Sequence, residues 1–152
     1  MRLGIFGGSF DPVHLGHLWI GEAATETLSL DRLLWLPSAT QPLIGSDSLA
    51  SMRQWHQPER LLEQVVLAGV RRGGEAPVEF DVLDGLVSDD RIEQFRRSVI
   101  KMPVIEISSR DIRGRVGQGR SIRHRVPHAV QSYIEANALY GFKPLGEASR
   151  EQ

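Results

Sequence analysis

Gly7-Gly8-Ser9-Phe10-Asp11-Pro12-Val13-His14-Leu15-Gly16-His17 decides the reading of this chain, by its position as much as by its content. Before it, Arg2 to Phe6 (RLGIF) is a short apolar run stopped by Gly7-Gly8, which predicts a buried strand ending in a glycine turn. After it, the sequence predicts a helix starting near Leu15 to His17 and running to about Leu28, with Leu18, Ala23 and Thr27 on one face. Leu33 to Leu36 (LLWL), closed by Pro37, predicts a second buried strand, so the three elements form a parallel βαβ unit. The two glycines let the backbone approach a ligand with no Cβ in the way. The helix start adds unpaired N–H groups and the positive end of a dipole, so the segment is an anion cradle at the carboxyl end of a parallel strand. His14 and His17, spaced i, i+3, can point to the side of the cradle, each donating to a phosphate oxygen, and Gly16 leaves room for a flat base or sugar. A zinc site fits less well, since no third ligand is near in sequence. Ordinary surface histidines beside turn glycines would explain the residues one by one but not their coincidence.

Further along, Pro58 suits the first position of a helix continued by ERLLEQ, and Val65 to Val70 can extend that helix or form a strand. Val78 to Leu83 is a weak strand candidate, and Val104 to Ile107 (VIEI), after Pro103, a better one. Ser108 or Ser109 can cap a short helix whose N–H groups face an anion. Pro127 opens a last helix in which Val130, Tyr133 and Ile134 keep helical spacing before Tyr140-Gly141.

At 152 residues and 41% hydrophobic, the chain suits a single domain over residues 1–152 with enough apolar material for a core. A formal charge of −1 gives no global field to draw it onto nucleic acid or an anionic membrane, and neither is expected as a partner. Charge is local instead: Arg110, Arg113, Arg115, Arg120, Arg123 and Arg125 stand against the single acid Asp111, which suits an anion site. The absence of cysteine excludes disulfides, thiolate zinc sites and thiol nucleophiles. No signal-peptide pattern opens the sequence and no run of about 18 apolar residues occurs, so a soluble cytoplasmic protein is expected.

GGSFDPVHLGH resembles the signature of the HxGH nucleotidyltransferases, and GGSFDP followed by HLGHLWIGEAA is most similar to the nicotinate-nucleotide adenylyltransferase family within them. The resemblance implies a Rossmann-like, doubly wound α/β fold with a mostly parallel sheet. It implies adenylyl transfer from ATP to nicotinate mononucleotide, with Mg²⁺ arriving on the nucleotide and no metal held by the protein's own ligands. His14 and His17 would be catalytic, and Gly7, Gly8, Ser9, Phe10 and Gly16 would line the ATP site. Ser108-Ser109-Arg110-Asp111-Ile112-Arg113 is similar to the family's ISSTxIR motif. It implies ATP contacts from Ser108 and Ser109 and a phosphate-gripping role for Arg113, while Arg110 stands where threonine is usual. RSIRHRVPHAVQSYIEANALY resembles the family's closing segment. The segment Gly45-Ser46-Asp47 resembles one that contacts adenosine, which implies ATP contacts from Gly45 and Asp47, and Trp55 would lie near the acceptor's pyridine ring. By chemistry alone, a carboxylate can accept both ribose hydroxyls and an indole can stack on a flat heterocycle.

The resemblance breaks between Gln41-Pro42 and Ile44-Gly45. Where the family continues with loops, helices and strands that help hold the acceptor, LPSATQPL here runs straight into IGSDSL. Eight residues from Pro37 to Ile44 cannot supply them, since a parallel crossover alone needs about 10 to 12. Either the chain has lost its acceptor pocket, or the natural chain carries a further segment between 42 and 45 that this sequence omits. The second is expected, because the deletion would leave an exposed sheet edge and an open core. Two other functions fit the residues. One is phosphopantetheine adenylyltransferase or another HxGH transferase. The other is a non-catalytic nucleotide-binding protein.

Overall fold

The computed structural model describes residues 1–37, 49, 52–74 and 76–142. Contacts divide the chain into two compact units, Met1–Ser9 with Ile20–Ile105, and Phe10–Trp19 with Glu106–Gln152.

In the first unit, β1 (Leu3–Gly8) pairs in parallel with β2 (Arg32–Pro37), in a register that sets Ile5 against Leu34 and Phe6 against Trp35. Helix α1 (Leu15–Thr27) connects them, its first turn belonging to the other unit. Contact between α1 and β2 depends on Gly21, where an added Cβ would lie 2.9 Å from the Trp35 ring and 3.0 Å from Leu33. Gly4 lies as close to the side chains of Leu30 and Leu33. The expected strand–helix–strand order is therefore present. The expectation that both strands are buried fails on one face. Leu3, Ile5, Leu34 and Leu36 are 46 to 64% exposed, because α1 packs over one side only and a parallel sheet needs cover on both. On α1 the buried stripe is Ile20, Ala23 and Ala24, whereas Leu18 is exposed.

Helix α2 (Pro58–Gln64) starts at the expected proline and ends as Val65 turns extended; β3 is only Val70–Arg72, so VVLAGV neither prolongs the helix nor forms a full strand. After α3 (Asp89–Arg97), β4 (Ile100–Met102) pairs in parallel with β3. The acids Asp89 and Asp90 in the first turn of α3, with Arg96 and Arg97 in the last, match the helix dipole, and Ile92 with Phe95 forms its buried face. The strand expected at VIEI lies just upstream, because Pro103 has no N–H to extend the ladder, whose last bond runs from Gly73 N–H to the Met102 carbonyl. Val78 to Leu83 is not a strand. It ends in a 3₁₀ turn, Asp81–Leu83, that buries Phe80 and Leu83 with Leu49, Met52, Leu62, Ile92 and Phe95.

In the second unit, α4 (Ser109–Gly117) and α5 (His128–Ala136) close on a core of Ile112, Val116, Ile122, Val126 and Ile134. The i, i+4 spacing of Ile112 and Val116 puts one face of α4 in that core and leaves its first turn outside. A 3₁₀ turn, Leu139–Gly141, brings Tyr140 back onto the cluster.

Candidate active site

The second unit contains both the HxGH residues and the SSRDIR helix, so the site can be built within it. His14 is buried, at 5% exposure, and His17 half-buried. Their rings stack with centroids 3.6 Å apart and planes within 18°. The backbone N–H of His14 donates to His17 Nδ1 at 3.2 Å, and that of His17 to His14 Nδ1 at 3.3 Å. An Nδ1 that accepts carries no proton, so in this arrangement a ring's N–H is on Nε2, a donor type suited to a phosphate oxygen. Phe10 meets His17 edge-on at 5.0 Å and fixes that ring from a second side.

The helix start is less open than the sequence implies. The Leu15 N–H donates to the Arg125 carbonyl at 2.9 Å, and the His17 N–H also reaches the His14 carbonyl at 2.9 Å. A half-buried N–H takes an acceptor from its own chain wherever one is in reach, and these two amides have done so.

Helix α4 begins as expected, with Ser108 as its cap: its Oγ accepts the Asp111 N–H at 3.1 Å. Ser109 does something else, donating from Oγ to the Pro12 carbonyl at 2.9 Å and so tying α4 to the HxGH loop. Arg113, half-buried one turn on, donates from Nη1 to the Asp11 carbonyl at 2.6 Å and lies 3.5 Å from Asp11 Oδ2. Arg110 is exposed. Arg115 donates twice to the Ser121 carbonyl, and Arg125 pairs with Asp111 at 3.0 Å. The structure thus gathers His14, His17, Phe10, Gly16, Ser108, Ser109 and Arg113 in one unit. The sequence reading passed over Asp11 and Tyr140, although both lie in its quoted motifs. Tyr140 donates its hydroxyl to Asp11 Oδ1, and burial, with that hydrogen bond second, pushes its phenol up to about 12.

The other expected residues are placed separately. Gly7 and Gly8 end β1 in the first unit, Gly8 buried, with Ser9 exposed after them. Trp55, half-buried, packs against the cluster of Leu62, Phe80 and Phe95, also in the first unit. Gly45 and Asp47 lie outside the described residues, as does the stretch from Pro42 to Gly45.

A cytidylyltransferase-like family model matches residues 5–43. A protein of Rhodopirellula baltica named "Probable nicotinate-nucleotide adenylyltransferase" is 35% identical, aligned over 91% of this chain and 92% of its own. One of Gemmatimonas aurantiaca with the same name is 32% identical over 100% and 98%. The chain belongs to the nicotinate-nucleotide adenylyltransferase family.

The fold is also that of these adenylyltransferases. A Plasmodium falciparum nicotinic acid mononucleotide adenylyltransferase solved with NaAD matches at TM-score 0.62 and 13% identity, over 93% of this chain and 98% of its own. The expected Rossmann-type α/β fold is therefore present, with parallel pairing in both strand pairs. The Rhodopirellula alignment spans 198 positions, whereas 91% of 152 residues is about 138. About 60 positions of the alignment with that adenylyltransferase thus have no residue of this chain. Among the described residues no helix is long and apolar enough to cross a membrane.

Proposed function

We propose that this chain transfers the adenylyl group of ATP to nicotinate mononucleotide in NAD biosynthesis, as a cytoplasmic enzyme whose one domain spans residues 1–152. The 5′-phosphate of the acceptor attacks the α-phosphorus of ATP; the new P–O bond forms as the α–β bond breaks, and pyrophosphate departs. The nucleophile is already an anion, so the protein has to align two polyanions and offset charge as it moves onto the leaving group. His14 and His17 donate from Nε2 to phosphate oxygens, and Arg113 adds a cation beside them. The observation that carries this reading is the pair of locked, stacked imidazoles in one unit with Arg113. A Mg²⁺ carried in by the triphosphate would offset phosphate charge.

Gly7, Gly8, Ser9, Phe10 and Gly16 line the ATP side in this reading, with Ser108, Ser109, Gly45 and Asp47, and Trp55 meets the acceptor. A further segment between 42 and 45 belongs to the same proposal. It is supported by the unmatched alignment positions and by the exposed face of β1 and β2. A protein purified from its natural source should exceed 17.0 kDa by the mass of that segment, and a mass equal to it would overturn this part.

Incubation with ATP, Mg²⁺ and, separately, nicotinate mononucleotide, nicotinamide mononucleotide and phosphopantetheine tests the function. Pyrophosphate should appear fastest with nicotinate mononucleotide. Release only with phosphopantetheine would move the chain to a sister transferase, and ATP binding with no release would make it a non-catalytic binder.

A further inference from the structure

We propose that Tyr140 is a positioning residue of the transfer site, its hydroxyl holding the Asp11 carboxylate so that Asp11 fixes the Arg113 guanidinium against the HxGH segment. The inference rests on the transferase reading above and concerns residues to which that reading gives no part.

Asp11 is engaged at three atoms. Its carbonyl accepts Arg113 Nη1 at 2.6 Å, its Oδ2 lies 3.5 Å from the same nitrogen, and its Oδ1 accepts the Tyr140 hydroxyl. The Asp11 side chain is 55% exposed and that of Arg113 is 39% exposed. An ion pair so open to water is weak alone and does not hold two flexible side chains in one geometry. A hydroxyl donated to the other oxygen changes this. With Oδ1 held, the carboxylate plane is set, and Oδ2 stays on the Arg113 side.

Tyr140 is itself held from behind. It packs on the Ile112–Val116 core, and its carbonyl comes so near Gly117 that an added Cβ there would lie 3.3 Å away. Backbone conformation marks both ends of the bridge: Tyr140 has φ 57° and ψ 28°, and Phe10, directly before Asp11, has φ 43°. Residues with a Cβ seldom adopt this left-handed region, and where they do the surrounding structure over-determines them.

The geometry also leaves Arg113 its function. Its bonds among the described residues use Nη1, so Nε and Nη2 are the pair available for a two-point grip on phosphate. A guanidinium aimed by Asp11 meets the phosphate already oriented, and without the Tyr140 hydroxyl that aim is lost while the charge remains.

The test is a double-mutant cycle on the full chain with Tyr140→Phe, Arg113→Ala and the pair, read by pyrophosphate release and, separately, by ATP titration. Tyr140→Phe should lower kcat about tenfold, with KM for ATP within about threefold, and should cost less than about twofold more once Arg113 is alanine. ATP affinity, which needs no acceptor and no turnover, should fall by about two- to threefold in Tyr140→Phe, a loss that disappears once Arg113 is alanine. An inactive wild type that binds ATP would refute the transferase reading and leave this coupling measurable. Equal losses in both backgrounds, or no loss from Tyr140→Phe in an active enzyme, would overturn the proposal. Should Tyr140→Phe fail to fold, Asp11→Asn takes its place in the cycle and has to show the same dependence on Arg113.

Discussion

The strand pair β1–β2 and the HxGH segment follow one another in sequence and are held by different physics. In the strand pair, position comes from aliphatic and aromatic contact on one face: Gly4 and Gly21 permit close approach, and Phe6 meets Trp35 at 5.0 Å. The other face is bare hydrocarbon. Around the HxGH segment, position comes from polar links with defined directions, from Ser109 to Pro12, from Arg113 and Tyr140 to Asp11, and from Leu15 to Arg125. Apolar packing is non-directional and tolerates small shifts, whereas a hydrogen bond weakens steeply off its axis. The second kind of contact suits a site proposed to align two phosphates, and the first suits a scaffold.

This difference can be broken or sharpened by mutation. His17→Ala should have the largest effect, a loss of turnover of about a hundred- to thousandfold, since a donor acting in the transition state is worth roughly 2.7 to 4 kcal/mol. Its thermal melting should stay close to wild type, and unchanged turnover in a folded variant would remove His17 from the mechanism. Arg113→Ala should weaken ATP binding by about 2 kcal/mol, or roughly thirtyfold, as expected for a charged hydrogen bond. The exposed Arg110→Ala should stay within about twofold, and equal losses would show that burial and the Asp11 contact do not set the role. On the scaffold side, Gly21→Val should lower stability by about 1 to 3 kcal/mol, because Trp35 and Leu33 would have to move, while KM for ATP changes little. Leu34→Gln on the bare face should shift the stability of the 152-residue chain by no more than about 0.5 kcal/mol in a chemical melt. A large loss in that chain would mean that the face is covered without the proposed further segment.

The smallest effect is one of pH. Tyr140 is raised above its ordinary value of 10.0 to about 12, so its contribution is fully present below pH 10 and is lost as pH rises toward 12. Tyr140→Phe should remove that part of the alkaline loss of stability. With two tyrosines in the chain, the difference in phenolate absorbance between wild type and Tyr140→Phe isolates Tyr140, and a midpoint at or below 10 would contradict its link to Asp11.

What the sequence made legible was local. The order of β1, α1 and β2, the proline start of α2 and the Ser108 cap each follow from residues within a few positions, and the structure has them all. Strand choice was less legible, because a strand needs a partner. VIEI has the apolar letters, yet Pro103 ends the ladder before it, and Val78–Leu83 pairs with no strand among the described residues and buries Phe80 and Leu83 from a turn. In the site, His14, His17 and Arg113 could be nominated from spacing and resemblance. The occupation of the Leu15 N–H by Arg125, and the reach of Tyr140 across 129 positions to Asp11, depend on chain return that no local pattern encodes.

That return orders events in time. Tyr140 leaves the ribosome 129 positions after Asp11, so the loop bearing the histidines waits through that length of synthesis for the partner that holds it. A segment written early is thus completed late. A growing chain can therefore have a formed β1–α1–β2 unit well before it can bind a nucleotide.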